Sequence, residues 1–174
     1  MEHAAHNVDI LDETGSIVGH KLRREIDKLH DIFHVIMVFL ITPEGEIVLT
    51  PILDRTDLPN LYPGQLSIPV GTIRRTDETA EAAARRSVAR ELFIDDADVK
   101  FVGEGPIDYG DKIKRYVSVF YVVGDPPKVF SKTDIGEMFT ITPRELTKRL
   151  KASPKDFAPS LRITWERYLD KLPV

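Results

Sequence analysis

The chain has 174 residues, of which 42% are hydrophobic and 30% charged, with a formal net charge of −4. That length predicts one domain with a sizeable core, and the acid excess gives no electrostatic case for nucleic acid, which would want a basic face. Cysteine is absent, so disulfides, thiolate metal sites and cysteine nucleophiles are excluded together, a composition that fits a cytoplasmic protein without requiring one.

Residues 1–7 are expected to form a flexible tail, and the start, MEHAAH, lacks the basic and apolar regions of a signal peptide. Short strand-like runs at 8–11 and 17–22 flank Asp12-Glu13-Thr14-Gly15, which predicts a hairpin. A brief helical or irregular piece at 23–30 follows. Residues 35–41 (VIMVFLI) are wholly apolar and end at Thr42-Pro43-Glu44-Gly45. Such a run predicts a central strand buried on both faces and is far too short to cross a membrane. Residues 46–53 are expected as its antiparallel partner. The loop 54–64 carries Pro59 and Pro63 and exceeds a simple connector, so it is expected to shape a pocket.

Residues 67–73 predict a strand leaving through a bend at Gly71, followed by a polar loop at 74–78. Thr79 then opens a helix running to Leu92. Ala80, Ala84, Val88 and Leu92 recur every four residues as its buried stripe. Ser87, Arg90 and Glu91 share a neighbouring face, because spacings of three and four bring side chains together. The acidic loop 95–98 is expected to be solvated. Strands at 99–102 and 115–123 enclose a glycine-containing loop, 103–114, that could overhang the site. After the break at Asp125-Pro126-Pro127 come a short strand, 138–141, and a helix, 144–152, capped by Thr142 with Pro143 at its first position. A closing helix at 160–169 places Leu161, Trp165 and Leu169 on one face.

The stretch from Ser67 to Ile94 resembles the Nudix superfamily, whose signature is G-x5-E-x7-R-E-U-x-E-E-x-G-U, with U a bulky aliphatic residue. Gly71 matches the first glycine; Glu78 matches the first glutamate after six intervening residues instead of five, and Arg86 matches the arginine seven residues on. Val88 and Ile94 match the aliphatic positions and Glu91 the last glutamate. Ser87 and Arg90 stand where the family has glutamates, and Phe93 stands at the second glycine. Further residues resemble, in order and spacing, the branch containing the isopentenyl-diphosphate isomerases and similar hydrolases. These are 8–13, Ile17-Val18-Gly19, Arg23, Leu29-His30, 35–41 and the turn Tyr62-Pro63-Gly64. The resemblance implies an α/β fold, a Nudix-type α/β/α sandwich with a mixed central sheet, as a single domain over 1–174.

It also implies hydrolysis of a nucleoside-diphosphate-type compound, a diphosphate linked to another moiety, with Mg²⁺ or Mn²⁺ held by hard carboxylate oxygens. The family's helix glutamates fall at Ser87, Arg90 and Glu91. Arg90 puts a fixed positive charge there, which should weaken cation binding, and Ser87 is a neutral, weak donor. Glu91 and Glu78 are the candidate metal ligands, with Glu104 and Glu137 as further acids, and Glu91, Glu78 and Arg86 are the catalytic candidates. Each has a structural alternative: Glu78 as a first-turn acid, Arg86 as a brace of the loop, and Glu91 as the ion-pair partner of Arg86 or Arg90. Arg55, Arg74 and Arg75 are the candidate phosphate contacts, since the basic pair of this branch is replaced by Ile52-Leu53; Arg74 and Arg75 also read as a solvated loop. His20, His30 and His34 read as structural, and HDIFH lacks the glutamate of a zinc-protease helix.

The resemblance raises three functions. One is a hydrolase weakened by its lost carboxylates; another is a Nudix-fold module that binds a nucleotide or a protein partner without catalysis. The third, the isomerase, needs a cysteine where this chain has Val70 and an acid where it has Tyr116, which argues against it. The expected partner is a small nucleotide or diphosphate, not nucleic acid or membrane, and a homodimer stays open.

Overall fold

The computed structural model describes residues 6–55, 60–110 and 112–174. In chain order the elements are β1 (Asn7–Leu11), β2 (Ile17–Leu22), β3 (Ile32–Ile41), β4 (Ile47–Pro51), β5 (Leu66–Ser67), β6 (Val70–Ile73), α1 (Ala80–Leu92), β7 (Lys100–Asp108), β8 (Lys114–Val123), β9 (Phe139–Ile141), α2 (Pro143–Ala152) and α3 (Pro159–Tyr168). Of the tail expected at 1–7, residues 1–5 lie outside the described residues, and Asn7 opens β1.

The apolar run holds the fold together as β3. Side chains alternate across a strand, and here both sets are buried. Ile36, Val38 and Leu40 enter one core with Ala83, Ala84, Val88 and Leu92 of α1. Met37, Phe39 and Ile41 enter another with Leu146 of α2 and Leu161, Trp165 and Tyr168 of α3. Helices therefore cover both faces, giving the expected α/β/α sandwich. β8 runs parallel to β3 from His34↔Tyr116 to Ile41↔Val123. The other edge of β3 is shared: β1 takes Ile32 and Phe33, β6 takes Val35 to Val38 and β4 takes Ile41, all antiparallel. The sheet is mixed, and no described helix is long and apolar enough to cross a membrane.

Four expectations are corrected. The strand expected at 67–73 is two, because Pro69 has no N–H to give a ladder; Gly71 stays extended within β6, opposite Met37, and makes no bend. The loop expected at 103–114 is strand as far as Asp108, paired with β8. Gly103 makes this feasible: a Cβ there would lie 2.5 Å from Tyr168 Cε1, so only glycine lets α3 rest on β7. The segment expected at 46–53 is the antiparallel partner of β3, but over a shorter reach than expected: it meets β3 at Ile41↔Ile47 and is otherwise paired with β9 and β5. The buried stripe of α1 begins at Ala83, with Ala80 partly exposed in the first turn.

Both ends of α1 are set locally. The Thr79 hydroxyl accepts from Ala82 N at 3.1 Å, satisfying one of the free amides of the first turn. At the other end Phe93 takes the left-handed conformation, φ 56° and ψ 38°, and the residue is 54% exposed. A side chain there meets the carbonyl clash that glycine avoids. Phe93→Gly is expected to stabilise the protein by roughly 1 kcal/mol, read as a higher denaturant midpoint; a lower midpoint would show that the ring contributes more through packing than the backbone loses.

Candidate functional site

The β6–α1 loop is held by ion pairs. Arg86 Nε and Nη2 grip the two Glu78 oxygens at 2.6 and 2.9 Å, and Arg75 N donates to Glu78 at 3.2 Å. Burial alone would raise the Glu78 carboxyl, but the Arg86 and Arg75 hydrogen bonds hold it below its ordinary range. Arg74 reaches back with Nη1 to the Glu78 carbonyl at 3.0 Å and with Nη2 to Asp9 at 2.9 Å, and Asp9 also contacts His20 Nδ1 at 2.9 Å. Arg74, Glu78 and Arg86 thus tie the loop to α1 and to the β1–β2 hairpin, with their charges matched to one another.

Beside this loop a cleft of about 270 Å³ opens over Gly71, walled by Val35 and Met37 of β3, by Leu53 and Tyr62, and by Arg90 and Glu91 at the end of α1. Five basic side chains line it, Arg23, Lys28, Arg55, Arg90 and Arg115, against two acidic ones, Glu91 and Asp134. That excess makes the cleft an attractor of anions. Glu91 is 4% exposed and ion-paired with Arg90. Burial pushes its carboxyl up to about 7, against the pull of Arg90. Arg55 Nη1 meets Asp134 Oδ1 at 2.7 Å. Burial would raise the Asp134 carboxyl, but Ser131, Arg90 and Arg55 keep it below the usual range. Arg23 is depressed to about 10, by burial first and by Arg90 next. Ser87 is fully buried, and its hydroxyl has no hydrogen-bond partner among the described residues.

Of the residues singled out in the sequence, Arg55, Arg90 and Glu91 line this cleft; Arg74, Arg75, Glu78, Arg86, Ser87, Glu104 and Glu137 do not. Glu104 accepts from Ser118 Oγ at 2.8 Å on the β7–β8 ladder, and Glu137 is exposed. The loop expected to wall the pocket contributes Arg55, Asn60, Leu61 and Tyr62, while 56–59 lie outside the described residues. Asp134 is a cleft residue that sequence reasoning missed, and Arg23, which lines the cleft too, stood out in the sequence only as part of the resemblance and not as a site residue. Nothing in SKTDIGE marks Asp134, which arrives because Ser131 N bonds the Glu91 carbonyl at 2.8 Å and carries the turn against α1.

These carboxylates do not make a metal cage. Among the described residues no three His, Asp or Glu side chains are grouped to hold a cation, and a hard divalent ion needs several oxygens together. Glu91 faces Arg90, and both Glu78 oxygens face Arg86. The three histidines do not converge either. His20 meets Asp9, His30 meets Asp27 at 2.7 Å, and His34 Nε2 lies 2.8 Å from Ser118 Oγ. Because Ser118 donates its proton to Glu104, His34 Nε2 must be the donor in that contact.

No protein-family model matches the chain. The arrangement of sheet and helices is the Nudix fold. DR0079 from Deinococcus radiodurans superposes with a TM-score of 0.69 at 22% identity, over 84% of this chain and 90% of that one; its solution structure describes it as a hypothetical Nudix protein. A MutT protein from Methanosarcina mazei Go1 gives 0.57 at 20% identity, over 79% and 92%. In sequence the chain is similar to the uncharacterized Nudix hydrolase YfcD of Escherichia coli strain K12, 25% identical over 161 residues, 92% of this chain and 87% of that protein. Together these likenesses support placing the chain in the Nudix superfamily.

The buried imidazole predicts an acid-linked loss of stability. Desolvation, with Arg74 next, lowers His34 from 6.5 to about 4, so the folded state holds it neutral. Its stabilising contribution is complete above pH 6.5 and is lost as the pH falls through about 4. Between pH 7 and 4 the parent should lose roughly 3 kcal/mol more than His34→Gln, measured by denaturant unfolding at each pH. Equal losses would exclude His34 as the titrating group.

Proposed function

We propose that the chain takes a nucleoside-diphosphate-type compound into the cleft beside α1, as a Nudix-fold binding protein in which metal-dependent cleavage is weak or lost. The basic lining of the cleft carries this reading. A diphosphate brings several negative charges at neutral pH, and the five cations around Gly71 offset the desolvation those charges undergo on entry. The pairing of Glu91 with Arg90 supports the loss of cleavage, since the carboxylate that would face a cation faces a guanidinium. Hydrolysis is the second reading, favoured by the similarity to YfcD, a protein named as a Nudix hydrolase.

Purified protein titrated with a panel of nucleoside diphosphates, and assayed for phosphate release with Mg²⁺ or Mn²⁺, separates the two readings. Saturable binding with little or no release is expected; fast release from a member of the panel would favour the hydrolase. The charge count at the helix adds a gain-of-function test. Ser87→Glu with Arg90→Glu restores carboxylates, and the second change alone alters the local charge by two units. The double variant should bind Mg²⁺ more tightly than the parent and gain measurable cleavage, with Arg90→Glu contributing the larger share. If Mg²⁺ affinity does not rise, the repulsion argument is wrong.

A further inference from the structure

The trio Ser87, Arg90 and Glu91 on one face of α1 carries no net formal charge. Three carboxylates in those positions would carry three negative charges, and a phosphate could not approach until a divalent ion had compensated them. Here the compensating charge belongs to the chain itself: Arg90 is ion-paired with Glu91, and its side chain lines the cleft. An independent observation lies across the cleft. Arg23, in the short 3₁₀ turn at Arg23–Glu25 after β2, is half-buried, and its guanidinium makes no hydrogen bond or ion pair among the described residues. Its charged surroundings are mixed, with Arg90, Arg55 and Arg86 opposing it and Glu91 favouring it. A guanidinium withdrawn from water with no acceptor is costly, and an anion shared with Arg90 would relieve both the missing acceptor and the cation–cation repulsion. Space exists for one, since a Cβ on Gly71 would meet nothing within 4 Å.

Resting on the reading that the cleft takes a diphosphate-type compound, we propose that a phosphate group binds against Arg23 and Arg90 without any divalent metal, the Arg90 guanidinium standing in for the cation. The planar fork of each arginine offers paired donors that match phosphate oxygens. The family's usual metal becomes unnecessary for binding, and the remaining carboxylate, Glu91, serves to orient Arg90.

Calorimetric titration with inorganic pyrophosphate, in EDTA and again with excess Mg²⁺, tests this directly. Binding is expected in EDTA, with an affinity that Mg²⁺ leaves unchanged or lowers by complexing the ligand. Arg23→Gln should weaken it at least tenfold without lowering the thermal midpoint, because the native side chain makes no bond to lose. Arg90→Lys, which keeps the charge and loses the fork, should weaken it several-fold. Binding only with Mg²⁺ would overturn the metal-free site while leaving the diphosphate reading intact; no binding in either condition would overturn both. Binding in EDTA that both variants leave untouched would place the anion elsewhere and also overturn the proposal.

Discussion

The burial of β3 on both faces is the constraint from which the rest of the molecule follows. A strand whose side chains are apolar on both sides must have its backbone paired along two edges and its surfaces covered by two layers. β8 satisfies one edge along almost its whole length, and the other is divided among β1, β6 and β4. That division has a functional result. Because β6 is pinned to Val35–Val38, the loop that follows and the start of α1 have one available place, and the cleft forms where β6, the end of α1 and the segment after β4 meet.

Around that cleft the charged side chains fall into two groups. The Arg86–Glu78 grip, the Thr79 cap and the Arg74–Asp9 pair are all present and well formed. They orient a loop and a helix, which any ligand-binding use of the fold requires. Arg90 belongs to the other group, since its side chain lines the cleft at the end of α1, whereas Ser87 is fully buried and does not. The Arg90 guanidinium offsets the charge of Glu91, so this end of the helix brings no net formal charge to the cleft.

Periodicity made the architecture legible. The wholly apolar β3, the four-residue repeat of α1, the Thr142-Pro143 start of α2 and the Leu161/Trp165 face of α3 all correspond to elements in place, because local pattern and tertiary burial agree there. Details that depend on partners were not legible. Pro69 divides a strand through a missing donor, and Gly103 permits one through its contact with Tyr168, some sixty-five residues away. The site was visible only in part, for the same reason. Glu91 and Arg90 stand in a stretch that resembles a motif of known spacing, whereas Asp134 reaches the cleft from a segment far from it, with nothing in its neighbours to announce it, and Arg23 was marked only by the resemblance and not by its chemistry. Arg74 and Glu78 had the chemistry of a binding site, and only their pairing partners showed that they brace the loop.

The parallel register of β3 with β8 also governs the order in which the molecule assembles. The two strands are joined by a long crossover containing β4 to β7 and α1, and the pairing begins at His34↔Tyr116. Closing so long a loop has an entropic cost that must be met before the pairing returns any stability. Neither apolar face of β3 is fully enclosed until that crossover is complete, and the α3 face needs the last helix as well. During synthesis the most hydrophobic segment of the chain is therefore made early and sheltered late, which makes the nascent chain's vulnerability to aggregation a property of its topology.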